Sequence, residues 1–181
     1  CGRTFLSAGL VQEAKREAQR MIDALKPWVA NGLPILGLEP SCLYTLRDEY
    51  TVLLPDTREL AANAFLFEEF LAREAEAGRL QLKLKPLEQE ALLHGHCHQK
   101  AFGAMGAVQR VLALVPGLKV SNVESSCCGM AGSFGYEEEH YEVSMKIAEL
   151  SLLPAVRRAG TETLVIADGT SCRHQIADGT E

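Results

Sequence analysis

Residues 163–172 read TLVIADGTSC: an apolar run, a tight turn and then a cysteine. Leu164-Val165-Ile166-Ala167 is continuous and β-rich, the pattern of a buried strand in a parallel sheet. Asp168-Gly169-Thr170-Ser171 turns the chain, and Cys172 leads into a last short helix. The same order occurs earlier. Residues 34–42, PILGLEPSC, give a short apolar run, a turn and Cys42, again with Ser before the cysteine. A Cys-Gly pair followed by helical sequence precedes each copy, Cys1-Gly2 in the first and Cys128-Gly129 in the second, at nearly equal separations. The sequence therefore reads as two copies of one strand–turn–cysteine unit, placed at 1–85 and 86–181.

Working outward, residues 9–26 carry Val11, Ala14, Ala18, Met21, Ile22 and Leu25 at a helical period, with Pro27 just past the end. Pro40-Ser41 starts a helix expected over 41–53. Leu60, Ala64, Phe67 and Leu71 define another over 57–77, stopped by Gly78. In the second half, ALLHG (91–95) reads as a strand leading into His96-Cys97-His98 and a helix at 99–114. Residues 118–123 (LKVSNV) form the next strand. The Gly- and Ser-rich loop 124–136 follows, then a helix at 137–158, kinked or ended at Pro154. Strands alternating with helices predict an α/β fold: two related units with a largely parallel sheet flanked by helices.

Composition narrows the function. The chain has 181 residues, 47% hydrophobic and 23% charged, with a formal net charge of -6 and a pI near 5.4. That acidic balance argues against nucleic acid as a partner. The sequence has no apolar run of about 18 residues, so no transmembrane segment is expected, and no secretory signal is visible. A cytoplasmic location is expected, with any membrane association made through partners. The chain opens on Cys1 instead of Met, and the reading is that it is an excised piece of a longer protein.

Six cysteines can be core residues, a disulfide set or metal ligands. A disulfide framework belongs mainly to small secreted domains, and this chain is neither small nor visibly secreted. Cys97, Cys127, Cys128 and Cys172 lie at strand ends or in a Gly-rich turn, where ligands of an open α/β sheet gather. Four thiolates converging there would hold an iron–sulfur cluster or a tetrahedral zinc. Adjacent Cys127 and Cys128 reach one cofactor only across a sharp bend. A cluster of several irons spreads its ligand positions more widely than one zinc, which tilts the reading toward iron–sulfur. Gly129 and Gly132 are expected to let the backbone approach the metal. The bland alternative is two small buried residues.

Alternation would put His94, His96 and His98 on one face and Cys97 on the other. The simplest role for any one of them is to cap the next helix or to stay solvated; tuning a cluster through hydrogen bonds, moving protons or binding metal are the sharper alternatives. His174 is equally open. The loop at 129–135 lacks the Walker lysine and the dinucleotide spacing. Glu137-Glu138-Glu139 is the first turn of a helix, where negative charge suits the dipole.

The stretches CGRTFLSAGL, GLEPSCLYTLRDEY, HGHCHQKA, ESSCCGMAGSFGYE and ADGTSCRHQIADG together resemble the cysteine-rich CCG domain family. That family includes the heterodisulfide reductase B subunit and the iron–sulfur subunits of glycolate and lactate oxidation. The likeness is strongest to the C-terminal iron–sulfur region of FAD-linked D-2-hydroxyacid dehydrogenases. It implies that Cys1 is the second cysteine of a first CCG motif, leaving that unit Cys1 and Cys42, while the second unit keeps Cys97, Cys127, Cys128 and Cys172 as metal ligands. In heterodisulfide reductase each motif closes with C-x-x-C and binds a non-cubane cluster. Here Cys42 is followed by Leu43-Tyr44-Thr45 and Cys172 by Arg173-His174-Gln175, so the closing pair is missing from both. A conventional four-cysteine cluster or zinc stays open.

The resemblance implies an electron-transfer module with a [4Fe–4S] cluster, part of an oxidoreductase acting on a 2-hydroxyacid of the D-lactate, glycolate or D-2-hydroxyglutarate type. FAD would be bound outside this chain, in a domain of the same parent protein, and electrons would leave to a downstream or quinone-linked acceptor. No catalytic residue is assigned. The alternatives are a structural zinc or docking module, and thiol–disulfide catalysis by Cys127-Cys128.

Overall fold

The computed structural model describes residues 1–125 and 127–180; Ser126, within the loop at 124–136, and Glu181 lie outside the described residues. The chain divides into two compact units, Cys1–Phe70 and Leu71–Glu181.

The first unit runs α1 (Arg3–Ser7), α2 (Val11–Ala30), β1 (Ile35–Gly37), α3 (Pro40–Arg47), α4 (Glu49–Leu53), α5 (Arg58–Asn63) and β2 (Ala64–Leu66), and ends inside α6 (Phe67–Glu76). β1 and β2 pair in parallel, Ile35 opposite Ala64 and Gly37 opposite Leu66. Ala14 and Ala18, one turn apart on α2, are fully buried. Their small side chains let backbone come close: Gly2 sits at φ 78°, and a Cβ there would lie 2.9 Å from the Ala14 carbonyl oxygen. Tyr44 and Tyr50 fill the middle of the unit, with the Arg47 guanidinium 5.0 Å from the centre of the Tyr44 ring.

Three expectations for this unit need correction. α2 does not stop before Pro27 but continues to Ala30. Pro27 gives up one amide bond, and the end is closed by Asn31 Nδ2 donating to the Pro27 carbonyl at 2.7 Å. The helix expected over 41–53 breaks at Asp48, where ψ is -78°. The helix expected over 57–77 is interrupted by β2, because pairing with β1 satisfies backbone groups that β1 would otherwise leave open. The close of that segment is as expected. Gly78, at φ 68°, donates to Ala75 O while Arg79 donates to Glu74 O, the paired bonds of a Schellman cap. β1 is also less covered than its apolar run suggests, with Leu36 41% and Leu38 74% exposed.

The second unit continues with β3 (Glu90–His94), α7 (Cys97–Ala101), α8 (Met105–Leu112), β4 (Lys119–Asn122), a 3₁₀ turn at Phe134–Tyr136, α9 (Glu138–Glu149), α10 (Leu152–Arg158), β5 (Leu164–Ala167) and α11 (Thr170–Thr180). Its sheet has the order β4-β3-β5 and is parallel throughout. β3 is the middle strand, so Ala91 and Leu93 are only 1% exposed. β5 is an edge strand, and Leu164 and Val165 stay 37% and 40% exposed, short of the burial expected from TLVIA. The helix expected at 99–114 starts at Cys97 and breaks at Gly103, φ 70°. The helix expected at 137–158 breaks at Leu150-Ser151, not at Pro154, which lies in the first turn of α10 where its missing amide hydrogen is harmless. The expected α/β class, with parallel strands and flanking helices, is what forms. Among the described residues no helix is long and apolar enough to cross a membrane.

Candidate metal centre

The strand order of the second unit decides what meets. β3 ends in His94, and α7 opens three residues later on Cys97. β5 lies beside β3 with Ala167 opposite His94, and Cys172 is the third residue of the helix that follows. β4, on the other side of β3, leads into the Cys127-Cys128 loop. All four cysteines therefore lie outside the carboxyl ends of three adjacent parallel strands, the place where open sheets bind ligands.

Local structure fixes each one. His96 caps α7: its Nδ1 accepts from the His98 amide at 3.1 Å, and Gln99 Oε1 accepts from the His96 amide at 2.9 Å. This is a capping box with histidine in the capping position. Gln99, fully buried, also donates through Nε2 to Asp168 Oδ2 at 2.5 Å, tying the turn after β3 to the turn after β5. Gly169 is the residue that lets these turns meet; a Cβ there would lie 2.4 Å from His96 Cδ2 and 3.1 Å from Cys172 Sγ.

The Cys-Cys-Gly loop bends as two adjacent ligands require. Gly129 and Gly132 have φ of 97° and 74°, with Ala131 at 43° between them, and the Gly129 amide turns back to Cys127 Sγ at 3.3 Å. Gly129 also has a packing reason. Its missing side chain faces helix α9, where a Cβ would lie 2.2 Å from the Ser144 carbonyl oxygen. Gln175 Nε2 closes the same junction by donating to Ser144 O at 3.1 Å and Ser144 Oγ at 2.9 Å.

The four thiols form a continuous chain of contacts, Cys97 to Cys127 to Cys128 to Cys172. Hydrogen bonds from the Cys128 and Cys97 thiols, aided by the Gly129 and Ala131 amides, hold Cys127 far below the usual thiol range. Cys97 and Cys128 move the opposite way: sharing with Cys127 raises both, contact with Cys172 adds to the rise of Cys128, and burial raises both further. Cys172 is lowered to about 5, chiefly by the Cys128 thiol and against the effect of its own burial, with His94 and His96 adding to the drop. Two of the four sulfurs, Cys127 and Cys172, thus favour the thiolate, the form that binds metal. Cys128 and Cys172 belong to the apolar core with Val123, Met130 and Leu152, while Cys97 and Cys127 are half-buried.

His94, His96 and His98 do not share a face as simple alternation predicts. His94 ends the middle strand at 1% exposure, His96 caps, and His98 sits in the first turn of α7. His94 Nδ1 lies 3.0 Å from Ser125 Oγ, and the buried Nε2 has no nitrogen or oxygen partner and is turned to the Cys172 sulfur. A ring nitrogen of His94 and the sulfurs of Cys128 and Cys172 all lie within 4.8 Å of one another, close enough to share one ion. A buried imidazole nitrogen beside a connected set of four sulfurs, two of them favouring thiolate, fits a metal or iron–sulfur centre.

In the first unit Cys1 Sγ lies 3.4 Å from Cys42 Sγ. Cys42 is the third residue of α3, as Cys172 is of α11. Burial and then the Glu39 charge push its thiol up. Among the described residues no further His, Cys, Asp or Glu completes a donor set with these two. The structure thus brings Cys97, Cys127, Cys128 and Cys172 together, and Cys1 with Cys42 separately. Sequence reasoning missed the Gln99–Asp168 tie, the Gln175–Ser144 junction and the burial of His94. Only Gln99 had a local signal, its spacing of three from the capping residue.

In a parallel-sheet unit this chain gathers a strand-end cysteine, a Cys-Cys-Gly loop and a helix-borne cysteine, the arrangement expected from its resemblance to the CCG family. Its relatives include one of the subunits of the anaerobic glycerol-3-phosphate dehydrogenase of Escherichia coli (strain K12), 30% identical over 182 residues, covering 99% of this chain and 45% of that protein. D-2-hydroxyglutarate dehydrogenase of the same organism is 31% identical over 170 residues, 93% of this chain and 16% of that protein. Lactate utilization protein A of Bacillus subtilis (strain 168) is 24% identical over 184 residues, 93% of this chain and 70% of that protein. The chain thus spans less than half the length of the first two of these relatives. No family model matches the chain, and no solved structure matches it significantly.

Proposed function

We propose that this chain is the iron–sulfur electron-transfer module of a flavin-linked oxidoreductase that acts on a small hydroxylated acid, of the 2-hydroxyacid type. The observation that carries the reading is the convergence of Cys97, Cys127, Cys128 and Cys172 beyond the ends of three parallel strands, with thiolate favoured at two of them. These four would hold a [4Fe–4S] cluster, and the cluster would supply one-electron redox capacity between a flavin and a separate acceptor. The chain's own residues supply the rest. The Gly129 amide stabilises Cys127, the Gln99–Asp168 pair sets the distance between two ligand-bearing turns, and the apolar core keeps water from Cys128 and Cys172.

The relatives' names support the wider setting, since two are dehydrogenases or their subunits and one is a lactate utilization protein. On this reading FAD is bound by a separate part or partner of the parent protein, and Cys1 with Cys42 contributes to a second site. One observation favours a zinc centre as a second reading: the His94, Cys128 and Cys172 donor atoms are spaced for a single ion. Reconstitution with iron and sulfide under anaerobic conditions separates the two. The electron-transfer reading predicts a visible chromophore and, after reduction, an electron paramagnetic resonance signal. A colourless protein that takes up zinc and no sulfide would overturn it.

A further inference from the structure

We infer that His94 is itself a ligand of the metal centre, binding through Nε2 beside Cys128 and Cys172. The inference rests on the electron-transfer reading and adds to it a nitrogen donor that a set of four cysteines does not contain. His94 is the last residue of the middle strand, 1% exposed, and is paired with Ala167 of β5. Burying an imidazole nitrogen away from water without a partner is costly, so such atoms nearly always have one. Nε2 has no nitrogen or oxygen partner and is turned to the Cys172 sulfur, while Nδ1 is engaged with Ser125 Oγ at 3.0 Å.

The contact at Nδ1 selects what Nε2 can do. When Nδ1–H donates to the serine hydroxyl, the neutral ring keeps its lone pair on Nε2, facing the site. Ligating histidines commonly fix their tautomer this way, through a hydrogen bond on the far nitrogen. The Lys100 ammonium lies 3.5 Å from the same hydroxyl and donates to the Ser125 carbonyl, which holds Ser125 in place as that acceptor. The donor atoms of His94, Cys128 and Cys172 already lie within 4.8 Å of one another, all three buried. Five donors then surround the centre, so either one iron carries two of them or one thiol stays unbound.

The rival role is a hydrogen bond from Nε2–H to the Cys172 sulfur, and magnetic resonance tells them apart. Protein labelled with ¹⁵N-histidine is reconstituted anaerobically with iron and sulfide, reduced, and examined by pulsed electron paramagnetic resonance. A directly bound imidazole gives a strong nitrogen coupling that changes with the isotope and is lost in His94→Ala and His94→Gln. A centre with cysteine signals but no strong nitrogen coupling overturns the inference and leaves the electron-transfer reading standing. Failure to form any iron–sulfur centre overturns both. A third variant guards against misfolding at this buried position. His94→Cys should keep its iron and lower the reduction potential, because imidazole in place of thiolate raises it in iron–sulfur centres. An unchanged potential would contradict ligation.

Discussion

Replacing Gly129 by alanine tests how the Cys-Cys-Gly loop is held. Two costs add at this position. The residue sits at φ 97°, where a side chain costs about 1–2 kcal/mol. The new Cβ would also lie 2.2 Å from the Ser144 carbonyl oxygen and 2.9 Å from Gln175 Nε2, inside the junction that the glutamine closes. The obstructing atom is helix backbone, so the loop must move and the buried hydrogen bonds between Gln175 and Ser144 are lost. Leaving such groups unpaired costs about 1–3 kcal/mol, which brings the expected loss to about 2–5 kcal/mol. Gly103→Ala is the control: it has φ 70° and nothing within 4 Å of the new carbon, so only the conformational cost applies. Urea unfolding of the metal-free proteins, followed by circular dichroism, gives the comparison. With a slope of about 1–3 kcal/mol per molar, the extra cost of about 1–3 kcal/mol means that Gly129→Ala should unfold about 0.3–3 M earlier than the control. Equal midpoints would refute the claim that this glycine is required by the contact with α9.

Other residues give independent checks. In the metal-free protein iodoacetamide should modify Cys127 first, since it is half-exposed and held as thiolate, and Cys128 last; peptide mass spectrometry reads the order, and early loss of Cys128 would contradict the assignment. Burial, followed by the Cys42 and Glu17 charges, pushes the Tyr50 phenol up to about 12 from 10. Its folded value is raised, so the fold keeps this contribution below pH 10 and loses it as pH rises through about 12. The loss should reach about 2 kcal/mol and be absent in Tyr50→Phe, read from urea midpoints across that window. Gln99→Leu should cost about 2–4 kcal/mol, since it strands the His96 amide and the Asp168 carboxylate together, and thermal unfolding measures it.

Much of this arrangement was legible in the order of residues. TLVIADGTSC and PILGLEPSC each place a strand, a turn and a cysteine in a helix's first turn, and the structure repeats the geometry down to the third helical position for Cys42 and Cys172. The Cys-Gly pairs match as well, because Gly2 and Gly129 each back onto a buried helix residue, Ala14 and Ser144. Local pattern failed where a distant partner decided the outcome. Residues 64–66 keep a helical period but pair with β1. His94 looks equivalent to His96 and His98 along the chain, and is set apart only because β3 is flanked by strands on both sides. Gly129 and Gly169 are both turn glycines in sequence, yet a side chain at Gly129 would meet α9 and one at Gly169 would meet His96 and the Cys172 sulfur.

The most direct test is where iron is held. Iron and sulfide are counted after anaerobic reconstitution of three proteins: the unaltered chain, the variant with Cys97, Cys127, Cys128 and Cys172 all changed to serine, and the variant with Cys1 and Cys42 changed. Loss of the cluster from the fourfold variant, with retention in the twofold one, is the predicted result. Undiminished iron and sulfide in the fourfold variant would contradict the account.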